Sequence, residues 1–399
     1  MIRLQEYKNV KRIKLIDCCS AIFSGGTPLT SKEQYYDGNI PWIRSGEIDF
    51  NRIFRSERNI SQEGLENSSA KLIRPKSVVM AMTGATVAKV ATIEAEMAAN
   101  QSVCALETNS QLDYRFLYFY LATKYLQLRN SAQGALTSLN LERIKNIEIP
   151  LPPLNIQKDI VSILDSFTSL IDKMKQEVEM RKKQMVYYID KFYGGDFDGM
   201  MRLADIPGNS VVQFSDLGPI IRGKRFVRDD IRTVGQPCIH YGDMYTYYGT
   251  MAVTAKTFLE RDFPKKMRYA HKGDVVIVGA GENDYDIGVG LVWMGEEPAA
   301  VHDACYILKH HQIPMYISYY LRSNIYHQQL KKYVSSGKIS SFSAEGLGKV
   351  YIPIQPEDKQ RQIASILDTF ETYISKLEKM IELRQKQYEY YREKLLTFE

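Results

Sequence analysis

The sequence predicts an α+β protein in which two duplicated globular α/β domains alternate with two long helices that form an antiparallel coiled coil. Three observations support this fold class. The chain has 399 residues, which is more than one ordinary domain holds. A segment near the middle recurs near the end, and each copy runs for more than thirty residues without proline or glycine. Hydrophobic residues at 44% and charged residues at 25% are enough for folded cores and exclude global disorder.

The recurring segment covers residues 149–191 and again 352–394, without a gap and at an offset of 203 residues. Roughly 19 of about 43 aligned positions are identical, which indicates an internal duplication. Apolar residues recur along both copies at the spacing of a coiled-coil seam. Pairing within the chain buries both seams without a second copy; packing on a partner protein or on the globular blocks is the alternative. The predicted seam comprises Ile160, Leu164, Phe167, Ile171 and Met174 in the first copy, and Ile363, Leu367, Phe370, Ile374 and Leu377 in the second.

The helices divide the chain into four parts. We expect a globular domain over residues 1–153, a helix over 154–195, a second globular domain over 196–355 and a helix over 356–399. A proline-containing junction precedes each helix, and YGGDFDGM at 193–200 is typical of a linker. Both blocks show buried strand runs followed by an aromatic helix. The strand runs lie at 77–82, 102–106, 274–278 and 304–308, and the aromatic helices at 114–121 and 316–321.

Motifs for catalysis or metal binding are incomplete. GPIIRGKR at 218–225 lacks the Ser or Thr that follows the lysine of a phosphate-binding loop. The acidic residues of GENDYD at 281–286 are more typical of a turn than of a metal site. The five scattered cysteines form no CxxC pair, which argues against zinc. Because the N-P-P-[YF] and D-P-P-[YF] tetrapeptides of amino-methyltransferases are also missing, we predict no catalytic residue and no metal.

Charge and hydropathy restrict location and partners. The net charge of +5 permits a polyanionic partner without requiring one. The N-terminus lacks the apolar core of a signal peptide, and no stretch approaches 18 uninterrupted apolar residues. We therefore expect a cytoplasmic protein that makes no membrane contact, and unpaired cysteines agree with that compartment.

Several blocks of sequence together resemble the specificity subunit of type I restriction–modification systems, over nearly the whole chain. SGGTP at 24–28 followed by IPWIRSGEI at 40–48 is similar to the start of that family's target recognition domain. The runs at 78–90 and 100–103 are similar to its central strands. The run at 141–154, with Gln157, is similar to its junction into the spacer helix. The second copy departs from this pattern, because PCIHYGD at 237–243 stands near the place of the PWIRSG block.

The resemblance implies a function and partners. Each target recognition domain would read one half of a bipartite, asymmetric sequence in double-stranded DNA, and the helix pair would set the spacing. Two methylation subunits and the restriction subunits would join the chain. Adenine methylation with S-adenosylmethionine, and cleavage with ATP and Mg²⁺, would belong to those partners, so this chain would bind no cofactor and act as a non-catalytic subunit.

The candidate base-reading residues are polar or basic side chains of both blocks. Arginine suits guanine and asparagine suits adenine, whereas lysine and arginine also contact phosphates. Each of them could instead be a solvated surface charge or a turn residue. The candidates are Arg44, Ser45, Thr83 and Lys89 in block one, and Arg222, Lys224, Arg225, Arg228, Asn283, Tyr285 and Lys338 in block two.

Two functions of other classes compete with DNA recognition. A coiled-coil scaffold could use the duplicated domains to bind proteins or glycans without any DNA specificity. A self-contained nuclease or methyltransferase would need catalytic motifs that the sequence does not display. The proline-containing junction repeated before both helices favours the specificity subunit over the scaffold.

Overall fold

The structure is a computed structural model that describes residues 10–132, 138–263, 266–281, 287–335 and 340–398. The chain divides into two compact units. Unit one comprises Met1–Met174 and Met380–Glu399, and unit two comprises Lys175–Lys379. Each unit therefore contains one globular block and parts of both long helices.

The block of unit one (block one) is built from short strands and helices in three sheets. The five-stranded sheet has the order β2-β10-β7-β8-β4, the four-stranded sheet has the order β5-β3-β9-β6, and β1 pairs with β11. The strands are β1 Arg12–Lys14, β2 Cys19–Ser24, β3 Ile40–Ile43, β4 Arg52–Ile53, β5 Arg58–Ile60, β6 Leu72–Ile73, β7 Ser77–Ala81, β8 Val90–Ile93, β9 Met97–Ala99, β10 Val103–Thr108 and β11 Glu148–Pro150. The helices are α1 Leu15–Cys18, α2 Gln62–Glu66, α3 Tyr114–Thr123, α4 Tyr125–Ser131, α5 Leu141–Lys145 and the long helix α6 Leu154–Phe192, with 3-10 turns at Glu33–Tyr35, Ser45–Glu47 and Gly84–Thr86.

The block of unit two (block two) repeats these three sheets strand for strand and adds a fourth, the pair β19-β23. Its five-stranded sheet has the order β13-β22-β18-β20-β15, its four-stranded sheet has the order β16-β14-β21-β17, and β12 pairs with β24. The strands are β12 Ser210–Gln213, β13 Ile220–Arg222, β14 Gln236–Ile239, β15 Met251–Ala252, β16 Thr257–Leu259, β17 Tyr269–Ala270, β18 Val275–Val278, β19 Ala280–Gly281, β20 Gly290–Trp293, β21 Ala299–Val301, β22 Cys305–Leu308, β23 Ser340–Ser341 and β24 Tyr351–Ile354. The helices are α7 Phe197–Arg202, α8 Phe214–Leu217, α9 Tyr241–Thr246, α10 Pro314–Tyr320, α11 Asn324–Leu330, α12 Ala344–Gly348 and the long helix α13 Glu357–Leu396, with 3-10 turns at Leu203–Asp205, Arg228–Asp230 and Lys331–Tyr333.

The two core sheets follow from the local sequence. Strands β7 and β18 are the middle strands of their sheets, and every residue of both is buried. An unbroken apolar run is what a strand covered on both faces requires. Helix α3 packs on β7 and β8, and α10 packs on β18 and β20. Asp113 caps α3 by accepting the amide hydrogens of Arg115 and Phe116, whereas Pro314 occupies the first turn of α10.

The long helices pair antiparallel, which confirms the predicted fold class. In unit two, Lys182 Nζ lies 2.9 Å from Glu378 Oε1, and the rings of Tyr188 and Phe370 are 5.5 Å apart. Residue numbers therefore increase along α6 in the direction in which they decrease along α13, as in an antiparallel pair. In unit one, the ring of Phe167 stacks on that of Tyr391 at 5.6 Å.

The predicted seam positions face the interior of the helix pair or of the adjoining block. Phe167 and Phe370 are partly buried and pack through their rings. The buried seam residues are Ile160, Leu164, Ile171, Met174, Ile363, Leu367, Ile374 and Leu377, and the most exposed of them reach 9%. Within the described ranges, none of the helices is long and apolar enough to cross a membrane.

Candidate nucleic-acid interface

A buried glutamine fixes the start of α6 to block one. The side chain of Gln157 is fully buried. Its Oε1 accepts the amide hydrogen of Asp113 at 2.8 Å, and its Nε2 donates to the carbonyls of Gln111 and Pro152 at 2.9 and 2.8 Å. One side chain therefore joins the cap of α3 to the junction before α6.

The equivalent glutamine fixes the start of α13 to block two in the same way. Gln360 Oε1 accepts the amide hydrogen of Ile313 at 3.1 Å, just before α10. Its Nε2 donates to the carbonyl of Gln355 and to Oε1 of Gln312, both at 2.7 Å. In both copies the glutamine joins the amide just before the aromatic helix to a carbonyl of the junction before the long helix, so both long helices are anchored by the same device.

An aspartate eight residues, or about two turns, further along each helix makes a second anchor. Asp165 forms an ion pair with Arg115 of α3, whose side chain is 7% exposed. Its repeat equivalent Asp368 accepts the hydroxyl hydrogen of Tyr319 of α10 at 2.7 Å. The anchoring position is thus shared, although its partner is a cation in one block and a phenol in the other.

The loop after β3 carries the first predicted candidates of block one, Arg44 and Ser45. The turn Ser45–Glu47 lies against β7. Glu47 stabilises the loop because Oε1 accepts the amide hydrogen of Arg44 at 2.8 Å and Oε2 accepts that of Glu57 at 3.0 Å. The guanidinium of Arg44 lies 2.7 Å from the Glu57 carboxylate, and both side chains are exposed. Such a surface ion pair is weak enough to exchange for contacts with DNA.

The loop between β7 and β8 carries the other two candidates, Thr83 and Lys89. Thr83 forms an isolated β-bridge with Ser138. Lys89 Nζ lies 2.6 Å from Oδ1 of Asp49, which follows the Ser45–Glu47 turn. This ion pair joins the two loops, so the four candidates of block one lie on neighbouring loops.

The structure adds three residues that the sequence analysis missed. Phe54 is 63% exposed, and the guanidinium of Arg52 lies 5.6 Å from its ring centroid. Arg55 is exposed beside them. A groove of about 440 Å³ is lined by Glu47, Asn51, Arg52, Ile53, Phe54, Arg55, Ser56 and Glu57. The signal in the sequence was the interleaving of arginines with phenylalanine, which is typical of nucleic-acid contacts.

Arg52 also holds a buried carboxylate. Its Nε lies 2.9 Å from Oε1 of Glu94, whose side chain is 8% exposed. Burial raises the pKa of Glu94, but hydrogen bonds from Arg52 and Thr92 outweigh that effect, and the pKa lies below its ordinary value. Glu94 is therefore ionised at neutral pH and fixes the base of the loop that presents Phe54.

Four candidates of block two lie on one segment, Arg222 as the last residue of β13 and the other three in the chain that follows it. Arg222 donates from Nε to the carbonyl of Asp303 at 2.8 Å. A Cβ on Gly223 would lie 2.1 Å from the carbonyl oxygen of His302, so only glycine fits where the segment passes β21. Lys224, Arg225 and Arg228 are exposed, and within the described ranges none of the three forms an ion pair. These cations are available to phosphates.

Three predicted candidates, Asn283, Tyr285 and Lys338, lie outside the described residues. The acidic residues of the GENDYD run lie outside them as well. Across the described parts of the chain, no group of three or more His, Cys, Asp or Glu side chains could hold a metal ion.

Two copies of one fold, each with exposed cations on loops and each anchored to a pair of antiparallel helices, define a duplicated recognition protein on a coiled-coil spacer. Residues 7–180 and 208–385 match the type I restriction modification DNA specificity domain. The chain belongs to this family.

Individual relatives agree with this assignment. A protein of Haemophilus influenzae assigned as a type I restriction enzyme specificity subunit is 30% identical over 326 residues, covering 75% of this chain and 76% of that protein. The EcoR124I/EcoR124II specificity subunit of Escherichia coli is 28% identical over 182 residues, covering 43% of this chain and 45% of that subunit. The crystal structure of the S subunit of a type I restriction–modification system from M. genitalium is similar in fold, with a TM-score of 0.58 at 15% identity, covering 99% of this chain and 98% of that chain.

Proposed function

We propose that the two blocks read the two parts of one asymmetric DNA sequence and that the helix pair fixes the distance between those parts. The observation that carries this proposal is that the two blocks share a frame but differ in the polar side chains placed on it. Two identical readers would select a symmetric target, as a symmetric dimer does. Two unlike readers on the same frame select an asymmetric one.

The difference appears first at the candidates of block one. The bridge of Thr83 with Ser138 corresponds to the pairing of Ala280 with Ser341 in block two. Lys89 immediately precedes β8, and the residue in the same place before β20 is Val289. Block two therefore carries apolar side chains at both positions.

The opposite difference appears after β2 and β13. Ser24 pairs with Cys104 in block one, and Arg222 pairs with Tyr306 in block two, which aligns the two chain segments. The following positions are Gly26 and Thr27 in block one, but Lys224 and Arg225 in block two. Because the cations occupy different places, the two blocks would contact different features of the duplex.

The helices suit the role of a spacer. Helix α6 has 39 residues and α13 has 40. At about 1.5 Å per residue, a helix of that length measures about 60 Å. Gln157 and Gln360 fix the starts of the helices to the blocks, so a change in helix length would change the spacing.

Two methylation subunits would dock on equivalent surfaces of the helices. Unit one exposes an apolar set, and unit two exposes the residues at the equivalent repeat positions. The set in unit one is Leu170 at 42%, Leu383 at 53% and Tyr390 at 58% exposure; the set in unit two is Tyr373 at 44%, Met180 at 53% and Tyr187 at 60%. Exposed apolar residues repeated in this way suit two copies of the same partner.

Catalysis would then reside in the partners. Methylation subunits would use S-adenosylmethionine to modify adenine, and restriction subunits would use ATP and Mg²⁺ to cleave. This chain would act in the cytoplasm as their non-catalytic specificity subunit, bound to double-stranded DNA.

Sequencing of modified adenines tests this function. Cells that contain the cognate methylation subunit should modify a two-part motif with a fixed gap when this chain is present, and should lose that modification when its gene is deleted. A scaffold without DNA specificity would leave the modification pattern unchanged. An unchanged pattern, with the partner intact, would overturn the proposal.

A further inference from the structure

His240 occupies in block two the place that Arg44 occupies in block one. Each follows the last residue of the strand that pairs in parallel with β9 or β21. The aligned strand pairs are Trp42 with Ala98 and Ile43 with Ala99, and Cys238 with Ala300 and Ile239 with Val301. The two sheets therefore present Arg44 and His240 from the same backbone position.

The turns that follow are also equivalent. Both continue with a glycine and an acid, Glu47 in block one and Asp243 in block two. Asp243 accepts hydrogen bonds from Lys256 Nζ at 2.9 Å and from the Thr257 hydroxyl at 3.1 Å. An acidic residue stabilises each turn. The backbone position from which Arg44 or His240 projects is therefore fixed.

The imidazole of His240 is held in one orientation. The amide hydrogen of Gly242 is donated to Nδ1 at 3.2 Å. The ring lies 4.6 Å from that of Tyr241 and 4.7 Å from that of His302. A backbone N–H can only donate, so Nδ1 accepts and the neutral ring carries its proton on Nε2. Within the described ranges Nε2 makes no hydrogen bond, and this half-buried side chain therefore presents one unused donor.

His302 supports His240 rather than sharing its role. Its Nδ1 accepts the amide hydrogen of Ala304 at 3.1 Å. The ring of Phe226 packs edge-on against it at 5.0 Å. His302 is therefore a positioning residue whose ring packs against that of His240.

Both rings are neutral at physiological pH. Burial lowers the pKa of His240, and the Arg228 cation adds to this, while the Asp243 carboxylate opposes it. Burial likewise lowers the pKa of His302 against the opposing charge of Asp303. Asp303 Oδ1 lies 3.3 Å from His302 Nδ1, where it would hold a second proton if that ring were charged.

We propose that His240 determines the specificity of block two by donating from Nε2 to the acceptor edge of a guanine in the major groove. Guanine presents N7 and O6 there, two neighbouring acceptors, whereas adenine has one acceptor beside an amino donor, thymine has one beside a methyl group, and cytosine presents an amino donor that would oppose the N–H. Arg225 and Arg228, which are exposed on the segment after β13, would contact the flanking phosphates. This inference rests on the proposed function.

Methylome sequencing with three variants tests the inference. His240→Ala should relax one guanine position in one half of the motif, with about five- to tenfold less discrimination, because one neutral hydrogen bond is lost. His240→Arg should keep guanine, because arginine is the commonest reader of that base and occupies the aligned position in block one. His311→Ala, at an exposed histidine of the same block, should leave the motif unchanged.

The outcomes separate this inference from the proposed function. A wild-type motif in two parts that His240→Ala leaves unchanged would overturn the role of His240 and leave the function intact. His240→Ala could also abolish all modification, and the His240→Arg protein then decides. If that protein modifies the motif but no longer requires guanine at that position, the role of His240 is overturned as well. A wild-type chain that directs no two-part motif would overturn both.

Discussion

Replacing Gln360 with alanine should destabilise unit two by about 3 kcal/mol, because three hydrogen bonds contribute roughly 1 kcal/mol each. Gln360 is 2% exposed, and its side chain makes contacts of 3.1, 2.7 and 2.7 Å. Alanine would leave the amide of Ile313 and the carbonyl of Gln355 without their partner. A buried amide or carbonyl without a hydrogen-bond partner still bears the free-energy cost of its removal from water, so the loss of unfolding free energy is not fully recovered.

Chemical denaturation followed by far-UV circular dichroism measures this loss as a shift of the unfolding midpoint. The matched control is Gln362→Ala, two residues away on the same helix, because Gln362 is exposed and its side chain hydrogen-bonds only with Lys359 among the described residues. The control should lie within about 0.5 kcal/mol of the wild type. Equal midpoints for the two variants would refute the anchoring role of the repeated glutamine. Gln157→Ala should reproduce the loss in unit one, since its buried side chain also makes three hydrogen bonds.

Three further predictions concern charge, phosphate contacts and partner docking. Because the pKa of Glu94 is lowered in the folded state, its ionised carboxylate stabilises the fold above the ordinary pKa of 4.5, and this contribution is lost as the pH falls below that value. The difference in unfolding midpoint between wild type and Glu94→Gln should therefore shrink in acid. Replacing both Lys224 and Arg225 with alanine should reduce the slope of log affinity against log salt by about 1.8 on target DNA, and an unchanged slope would remove them from the phosphate contacts. Tyr187→Glu and Tyr390→Glu should each reduce the bound methylation subunits from two to one by native mass spectrometry; retention of both would place docking elsewhere.

The repeated helices were the part of the fold that the sequence predicted best. Their seam is a local pattern, since each apolar residue lies three or four positions from the next, and the duplication displays it twice. Gln157 and Gln360 were visible as identities, but their role was not. A glutamine contacts groups more than forty residues away, and no local pattern encodes that contact.

The alignment of the two blocks was harder to predict. The sequence showed that PCIHYGD stands near the place of the PWIRSG block, but not that His240 matches Arg44. That match depends on parallel pairing between strands more than fifty residues apart, which register in the sheet sets. Arg52 and Phe54 were missed because strand β4 has only two residues and the loop after it has no periodicity.

A change in spacer length tests the central claim most directly. Duplicating one heptad in each helix, residues 175–181 in α6 and the repeat-equivalent residues 378–384 in α13, keeps the seam pattern and lengthens each helix by about 10 Å. Interchanging the two heptads without adding length is the control. With about 3.4 Å per base pair, the gap in the modified motif should grow by about three base pairs while both half-sites stay the same. A motif whose half-sites change while its gap is constant would contradict the account.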